Sequence, residues 1–464
     1  MSSTFSTQTK LSATEQNLVE RALQAATDTT VLEIEAGIRH RAAEFFKPAF
    51  GNVPVLIVAD QRTFTVAGAD VLKSFRRENI HCEEPFLFPD DVFGESSFVA
   101  MLEQRLQSTP AIPVAVGAGT INDLAKLASF RQGREYLTVA TAASMDGYTA
   151  YGASITHHGS KQTFDCPAPR VVLADLETIE SAPVALNASG YADLLAKGAA
   201  GADWILADAG GEEPIHALAW STVQDALPNW VKSPREIAEA QPECLHRLVL
   251  GLMLSGFAMQ AARSSRPASG AEHQFSHLWD MQHHTHHGLA PSHGFKVGIG
   301  TCASLRLYRF LLRQDLTTLN IEQAVERWPS LDEMVLRIRS LFGFDALGEK
   351  AVEETRAKYR DRHLIRTQLT SFTRSWPELR EKLRHQLRPF EEAEQMLHAA
   401  KCPFEPEQIG ISRTRLKNSF EQAFFLRRRF TVLDFAVRCG LLEPALKDLF
   451  GPEGAWKSDE EQVA

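Results

Sequence analysis

The sequence predicts a two-part protein, in which an α/β region with a parallel sheet is followed by an all-helical region. Short apolar runs rich in valine alternate with helical periodicity from about residue 50 to residue 183. Strands that alternate with helices form parallel sheets with right-handed crossovers. After Pro183 the valine-rich runs end, and helical periodicity dominates from Ala188 to the C-terminus. The change in pattern therefore predicts both the sheet and the helical part that follows it.

Four segments are predicted to be buried parallel strands, because each is a short and nearly continuous apolar run. In chain order they are Val53–Asp60, Ile112–Gly119, Tyr136–Ala140 and Pro169–Ile179. Apolar residues at helical spacing predict helices before and between these strands. The predicted helical segments are Thr14–Phe46, Ala67–Glu78, Phe98–Leu106 and Thr120–Arg131.

The best division of the chain lies near residues 183–188, where the pattern changes. We therefore expect a helical segment over residues 1–49, an α/β domain over 50–185 and a helical domain over 186–400. Residues 401–464 form a predicted C-terminal helical extension. Its alternating basic and apolar stretches are typical of packing or oligomer helices.

The overall composition excludes several classes of protein. The chain has 464 residues, 44% of them hydrophobic and 23% charged, which is ordinary for a soluble globular protein. A formal net charge of -9 argues against a nucleic-acid-binding body, which needs a clustered basic face. The six cysteines form no CxxC pair, a pattern that suits reduced thiols. With no apolar signal segment and no apolar run of about 18 residues, we expect a cytoplasmic protein without a membrane span.

Two motifs follow predicted strands, where parallel sheets bind their ligands. The first, GAGTINDLAK, covers Gly117–Lys126 and opens a helix. Its glycines would let a pyrophosphate approach the backbone N–H groups at the helix N-terminus. It matches neither GxGxxG nor a P-loop, and a plain tight turn is the alternative. The second, TAASMDGYTAYGAS, covers Thr141–Ser154 and combines hydroxyl groups with an acid, although a simple Ser/Asp/Gly turn has the same composition.

A third set of residues has the composition of a metal site. Asp193 lies within the predicted helix of GYADLLAKGAAGADW, and GAEHQFSH places His273 and His277 on one helical face. His293 follows in PSHG. One aspartate and two histidines with an open position suit a catalytic zinc-like ion, which polarises a carbonyl or alkoxide oxygen during hydride transfer. A salt bridge from Asp193 to Lys197 and an ordinary pair of helix histidines are the alternatives.

A histidine tract, HHTHH, occupies residues 283–287. Such a tract can bind metal, but its side chains cannot all face one site. We expect an exposed loop with only adventitious metal affinity.

In their order along the chain, these segments resemble the sn-glycerol-1-phosphate dehydrogenases. These enzymes are a branch of the iron-containing alcohol dehydrogenase and dehydroquinate synthase-like group. The similarity runs from about residue 50 to residue 310 and joins a strand ending VAD to GAGTINDLAK, TAASMDG, GYADLLAK, GAEHQFSH and HGFKVGIGT. The tyrosine in DGYT and the long C-terminal tail look more like the bacterial branch. The resemblance implies a Rossmann-like α/β domain, an all-α domain and an active site in the interdomain cleft. We also expect a homodimer or higher oligomer.

The resemblance also implies roles for individual residues. It assigns the metal ligands to Asp193, His273 and His293, and substrate contact or catalysis to Asp146, Asp193 and His277. The implied cofactor contacts are Asp60, Gly117, Ala118, Gly119, Thr120, Ile121, Asp123, Thr141 and Ser144. Two departures from the family are visible. Ala150 replaces a serine that often contacts the cofactor, and HHTHH lengthens the spacing from His273 to His293 relative to archaeal members.

The implied reaction is reduction of dihydroxyacetone phosphate to sn-glycerol 1-phosphate, which feeds glycerophospholipid-type synthesis. The implied cofactors are NAD or NADP and one divalent ion, Zn²⁺ or Ni²⁺. Asp60 at a strand end mildly favours NAD, since a carboxylate accepts ribose hydroxyls and repels a 2′-phosphate. The alternatives are a glycerol or polyol dehydrogenase, a dehydroquinate synthase-like lyase, and a non-catalytic sensing or scaffold protein.

Overall fold

The computed structural model of the protein describes residues 12–157, 160–454 and 456. The chain is organised into two compact units. One consists of Met1–Leu194 with Leu218–Ser265, and the other of Leu195–Ala217 with Arg266–Ala464. The first unit contains the sheet, and the regular elements among the described residues of the second unit are all helices.

Within the described residues, the first unit has a six-stranded parallel sheet in the order β1-β8-β5-β4-β2-β3. A separate antiparallel hairpin pairs β6 with β7. The strands are β1 (Val31–Glu35), β2 (Val55–Asp60), β3 (Phe86–Phe88), β4 (Ile112–Gly117), β5 (Leu137–Ala140), β6 (Ala153–His157), β7 (Ser160–Phe164) and β8 (Val171–Asp175). The four predicted strands are β2, β4, β5 and β8, so the predicted parallel α/β sheet is confirmed.

Helices cover both faces of the sheet, which explains why its inner strands are apolar without alternation. In β2, the side chains of Val55, Ile57 and Ala59 join one apolar cluster. Those of Leu56 and Val58 join a second cluster on the opposite face. Because successive side chains of a strand point to opposite faces, a strand between two helical layers is buried at every position.

The helices of the first unit occupy the segments between and after the strands. They are α1 (Ala13–Ala25), α2 (Ala42–Phe50), α3 (Gln61–Thr63), α4 (Ala69–Arg77), α5 (Ser96–Gln107), α6 (Gly119–Arg131), α7 (Leu176–Ser181), α8 (Val184–Leu195), α10 (Ala217–Gln224), α11 (Leu227–Val231), α12 (Pro234–Ala238) and α13 (Pro242–Ala262). A 3-10 helix at Ile38–Arg41 and a π-helix at Phe64–Gly68 complete this unit.

The second unit begins with α9 and resumes after α13. Its helices are α9 (Lys197–Ala209), α14 (Ala271–Met281), α15 (His293–Arg313), α16 (Ile321–Arg327), α17 (Leu331–Phe342), α18 (Ala346–Lys358), α19 (Arg362–Gln386), α20 (Phe390–Ala399), α21 (Arg413–Phe425), α22 (Val432–Arg438) and α23 (Leu442–Phe450). Short 3-10 helices lie at Leu316–Thr318 and Pro406–Ile409. The predicted change to an all-helical pattern after the sheet is therefore confirmed.

The prediction of a mostly helical segment over Thr14–Phe46 is wrong in its middle. Residues Val31–Glu35 form β1, which pairs with β8 at the edge of the sheet. Only Leu32 of this strand is fully buried, so the segment lacks the continuous apolar run that marks the inner strands. The edge strand β3 and the hairpin of β6 and β7 were also not predicted, because short or solvent-facing strands carry a weak pattern.

The expectation that no segment is long and apolar enough for a membrane needs a correction at α13. By length and composition this 21-residue helix could cross a bilayer. However, 89% of its most apolar window is buried within the protein. A helix that is apolar all round and surrounded by other elements is typical of a protein core.

Candidate active site

Three neighbouring strands bring the predicted cofactor residues to one edge of the sheet. In the order β5-β4-β2, the carboxyl ends carry the Thr141–Ser144 loop, the Gly117–Ile121 turn and Asp60. The Asp60 carboxylate accepts the Thr63 N–H at 2.8 Å and caps the short helix α3. The carboxyl edge of a parallel sheet is where such folds bind nucleotides, so this placement suits the predicted role.

Glycines allow the turn after β4 to approach its neighbours closely. A Cβ at Gly117 would lie 2.6 Å from the Ile121 side chain, and one at Gly119 would lie 2.5 Å from Met145 Cε. Gly119 is also the first residue of α6, and the first N–H groups of a helix have no acceptor within the helix. The turn therefore offers the first N–H groups of a helix and a positive dipole end.

A buried lysine of α6 forms hydrogen bonds to the backbone of the loop after β5. Lys126 Nζ donates to the carbonyl oxygens of Gly147, Ala150 and Gly152 at 2.8, 2.8 and 3.0 Å. The Tyr148 hydroxyl donates to the Ala142 carbonyl at 2.8 Å, and burial raises the pKa of this phenol above its usual range. The loop that carries Asp146 is thus braced at several backbone groups.

Asp123, predicted to contact the cofactor, has a hydrogen-bond partner in the hairpin. Its carboxylate accepts the Ser154 N–H at 3.3 Å. Burial raises the pKa of this carboxyl, opposed chiefly by the charge of Lys126. The structure therefore gives Asp123 a visible role in positioning β6, and its proposed cofactor contact stays a prediction.

Helix α8 supplies Asp193 and packs tightly against the same loop. Asp193 Oδ2 accepts the Asp146 N–H at 3.1 Å, and Asn187 Oδ1 accepts the Ala143 N–H at 3.2 Å. A Cβ at Gly190 would collide with the Ala143 carbonyl. The Asp146 carboxylate in turn accepts the Ser255 hydroxyl at 2.9 Å. These contacts fix the relative positions of Asp146 and Asp193, both of which are buried.

The second unit clusters three of the predicted histidines. His273 and His277 lie one turn apart on α14, and His293 is the first residue of α15. The ring centroids of His273 and His293 are 5.2 Å apart, and those of His277 lie 6.2 and 6.3 Å from them. The Ser292 side chain caps α15 at the Phe295 N–H, which sets where His293 begins the helix.

Asp193, His273 and His293 each offer one ligand atom within 4.8 Å of the others. Asp193 and His273 are buried and His293 is half-buried. Tetrahedral bonds of about 2.0–2.2 Å place donor atoms about 3.3–3.6 Å apart, so the three atoms would draw closer together around a bound ion. One carboxylate and two imidazoles fit a divalent transition metal such as zinc or nickel, with room for a further ligand. The residues present therefore fit the expected ion.

The expectation that HHTHH is simply an exposed loop is wrong for His284. His283 and His287 are exposed, but His284 is buried, with Nε2 2.6 Å from the Ile409 carbonyl and Nδ1 2.7 Å from an Arg415 nitrogen. Burial lowers the pKa of His284, and the nearby Arg415 charge adds to this. One histidine of the tract therefore anchors the loop to the segment around Ile409.

Several residues that support the site were not singled out from the sequence. Lys126 stood in a predicted motif, but only the fold shows which carbonyl groups it reaches. Asn187, Ser255 and Glu272 are polar residues inside helices, where single positions carry no distinctive pattern. A buried polar residue must find partners, so its presence in an apolar helix was the available signal.

Comparison with known proteins places this geometry in a family. Residues 33–183 match the family model described as iron-containing alcohol dehydrogenase. The glycerol-1-phosphate dehydrogenase [NAD(P)+] of Geobacillus thermodenitrificans is 30% identical over 394 residues, which cover 84% of this chain and 88% of that protein. The Bacillus subtilis enzyme of the same name is 30% identical, with 69% of this chain and 84% of that protein covered. The chain belongs to the glycerol-1-phosphate dehydrogenase family.

Solved structures agree on the fold. A probable glycerol dehydrogenase from Sinorhizobium meliloti superposes with a TM-score of 0.57 at 14% identity, covering 90% of this chain and 98% of that one. The NADH-dependent butanol dehydrogenase A of Thermotoga maritima superposes with a TM-score of 0.53 at 14% identity, covering 89% and 96%. The predicted resemblance and fold class are therefore confirmed. As a member of this family, the chain is an oxidoreductase.

Proposed function

We propose that this protein reduces dihydroxyacetone phosphate to sn-glycerol 1-phosphate with NADH or NADPH and one divalent metal ion, and that the reaction is reversible. The observation that carries the proposal is the grouping of Asp193, His273 and His293 around one point. A carboxylate and two imidazoles at this spacing are suited to an ion that polarises a ketone oxygen. The names of the relatives support the substrate and the cofactor.

The cofactor would occupy the carboxyl edge of the sheet. The N–H groups at the start of α6 would bind the pyrophosphate, and Asp60, Thr141 and Ser144 would contact the rest of the dinucleotide. Asp123 is the remaining residue that we propose to contact the cofactor. Gly117 and Gly119 keep the turn that carries these N–H groups tight, since a Cβ at Gly117 would meet Ile121 and one at Gly119 would meet Met145.

The substrate would be oriented by the residues around the metal ligands. When bound, the metal supplies Lewis acidity that stabilises negative charge on the substrate oxygen. Asp146 is held by Ser255 and by its N–H bond to Asp193, so its carboxylate is positioned before substrate arrives. His277 lies beside the two ligand histidines and would contact the substrate hydroxyl groups. A preorganised polar site of this kind lowers the cost of developing charge.

The substrate is tested by comparing dihydroxyacetone phosphate with dihydroxyacetone. We expect NADH oxidation by the metal-reconstituted protein to be far faster with the phosphorylated ketone. A site built to pair a phosphate leaves buried donors unpaired when the phosphate is missing, so discrimination can reach about four orders of magnitude. Equal rates with both ketones would contradict the proposal and favour a glycerol or polyol dehydrogenase.

The stereochemistry of the product gives a second measurement. Chiral analysis should find a single enantiomer, because a fixed site presents one face of the ketone to the nicotinamide, and the family resemblance predicts the sn-1 phosphate. An sn-3 product would retain the chemistry but reject the assignment. Stoichiometric NADH consumption would exclude a dehydroquinate synthase-like lyase, in which the nicotinamide cycles without net turnover. Absence of metal and of cofactor affinity would favour a non-catalytic protein.

The product suits a role in glycerophospholipid-type synthesis, which needs a phosphorylated glycerol backbone. We further propose a cytoplasmic location and a homodimer or higher oligomer. Size measurement in solution tests the oligomer directly.

A further inference from the structure

A buried glutamate lies beside one of the proposed metal ligands. Glu272 is the second residue of α14, and its side chain has no solvent exposure. Its Oε1 lies 2.8 Å from Nδ1 of the adjacent His273 and accepts the Gly270 N–H at 2.6 Å. A buried carboxylate is costly unless it is hydrogen-bonded, so these two contacts define where the group can sit.

Two glycines from conspicuous motifs make room for this glutamate. A Cβ at Gly270, the first residue of GAEH, would lie 2.8 Å from Glu272 Oε2. A Cβ at Gly300, in HGFKVGIGT, would collide with the Glu272 carbonyl oxygen and come within 3.0 Å of its Cα. The absence of a side chain at Gly300 lets α14 and α15 pack closely, and the backbone at Gly270 lies close against the Glu272 carboxylate. The same two helices carry His273 and His293.

A second buried carboxylate secures the start of α14 from the other side. Asp203 Oδ2 accepts the Ala271 N–H at 2.7 Å, while Oδ1 accepts the Val432 N–H at 2.8 Å and the Tyr308 hydroxyl at 2.5 Å. Negative charge at a helix N-terminus is stabilised by the helix dipole and by the unpaired N–H groups there. The backbone that carries Glu272 and His273 is therefore fixed by a hydrogen-bond network.

We propose that Glu272 is a positioning residue for the metal: it accepts the Nδ1–H of His273 and so leaves Nε2 as the ligand atom. The proposal rests on the proposed function, because it takes His273 to be a ligand. Metal-binding histidines characteristically donate their second ring N–H to a carboxylate, which fixes the tautomer and makes the ligand nitrogen more basic. Loss of such a partner costs about 10–100-fold in metal affinity.

The test compares metal binding by the full-length wild-type chain with that of Glu272→Gln. Zn²⁺ is titrated into the metal-free proteins against a chromophoric chelator, so the readout is a dissociation constant and not turnover. We expect the Zn²⁺ dissociation constant of Glu272→Gln to rise about 10–100-fold, because a neutral amide is a weaker acceptor. The visible spectrum of the Co²⁺-loaded variant should also change, since the orientation of His273 is loosened.

Glu354→Gln is the matched control. Glu354 is also a buried carboxylate of the second unit, but its hydrogen bonds go to Arg428 and Lys350 and not to a histidine. Its removal should leave the Zn²⁺ dissociation constant unchanged even if it destabilises the fold. Equal Zn²⁺ affinity in wild type and Glu272→Gln would overturn the positioning role. A wild-type chain that binds no metal would instead reject the proposed function.

A measurement on the wild-type protein tests the same proposal without requiring any variant to fold. In protein labelled with ¹⁵N-histidine and loaded with ¹¹³Cd²⁺, the metal should couple to Nε2 of His273, while Nδ1 carries the proton. Coupling to Nδ1 would contradict the proposal, since that nitrogen could not then donate to Glu272.

Discussion

At the residue scale, Asp193 has two proposed roles: it holds the backbone of Asp146 and it serves as a metal ligand. Its carboxylate accepts the Asp146 N–H and also offers a ligand atom within 4.8 Å of those of His273 and His293. A single carboxylate can do both because its two oxygens offer about four acceptor positions. A change at Asp193 should therefore affect the metal and the position of Asp146 together.

We expect Asp193→Asn and His273→Ala to lose bound metal and turnover together. Neither the amide nor the methyl group can replace an anionic or imidazole ligand. Elemental analysis of the purified variants measures the metal, and NADH oxidation measures turnover. Full metal occupancy in either variant would remove that residue from the proposed ligand set.

For single residues, the spacing of residue types along the chain predicted only part of the proposed site. The spacing of His273 and His277 predicted one helical face, and both residues lie on α14. Glu272 was invisible to the same reasoning, although it is adjacent to His273. Its significance comes from a hydrogen bond and from the space left by Gly270 and Gly300, and these depend on packing.

At the scale of elements, α6 connects the Gly117–Ile121 turn to the loop after β5. Its N-terminus supplies the proposed pyrophosphate donors, and Lys126, further along the same helix, holds three carbonyl groups of the loop. Asn122 adds a donor to Gly147, and the Tyr136 hydroxyl fixes Asn122. One helix thereby sets the geometry of both predicted cofactor segments.

Lys126→Met should weaken both the fold and the active site. Methionine keeps much of the side-chain volume but donates no hydrogen bond, so buried carbonyl groups lose their partner. We expect the free energy of unfolding to fall by about 3 kcal/mol and kcat/KM to fall as Asp146 loses its support. Chemical denaturation and steady-state kinetics measure the two effects. Lys73→Met, at an exposed helix position, is the control, and an equal response in both variants would contradict this role.

The HHTHH loop should show a division between its histidines. His284→Ser should lower the free energy of unfolding by about 2 kcal/mol, because the bonds to the Ile409 carbonyl and to Arg415 are lost from a buried position. The exposed His283→Ser and His287→Ser changes should have little effect on stability. Thermal unfolding distinguishes these outcomes, and turnover below the melting range should be retained in all three. A loss of turnover that added metal restores would instead make the loop a source of a ligand.

At the scale of the whole molecule, buried ion pairs make the stability of the fold dependent on pH. Burial alone would raise the pKa of Glu354, but hydrogen bonds from Arg428 and Lys350 outweigh it and lower the pKa to about 2. The unfolded chain takes up this proton near pH 4.5. The stabilising contribution is therefore complete above about pH 4.5 and is lost as the pH falls towards 2.

Glu354→Gln should accordingly be less stable than wild type at pH 7, by about 2 kcal/mol, and the difference should shrink as the pH falls from 4.5 towards 2. Denaturation curves at pH 7, 5 and 3 measure this change. Glu443→Gln removes an exposed carboxylate that pairs with Lys447, and it should cause no comparable change. A difference between wild type and Glu354→Gln that stays constant with pH would refute the assignment.

The sequence by itself determined the class of the fold and the order of the motifs. Continuous valine-rich runs identified β2, β4, β5 and β8, because a strand buried on both faces is apolar at every position. The motif order indicated the family, which the comparisons confirmed. These features depend on local periodicity and on residue types, and a linear chain displays both.

Only the tertiary structure decided which residues meet. The edge strand β1 was not predicted from the sequence, because a partly exposed strand of five residues shows no clear hydrophobic period. Packing between separate elements buries His284 and brings Lys126 to the carbonyl groups of the loop after β5. The contact of Glu272 with His273 depends on the space left by Gly270 and Gly300. Such contacts depend on three-dimensional distances, and residue spacing along the chain does not encode them.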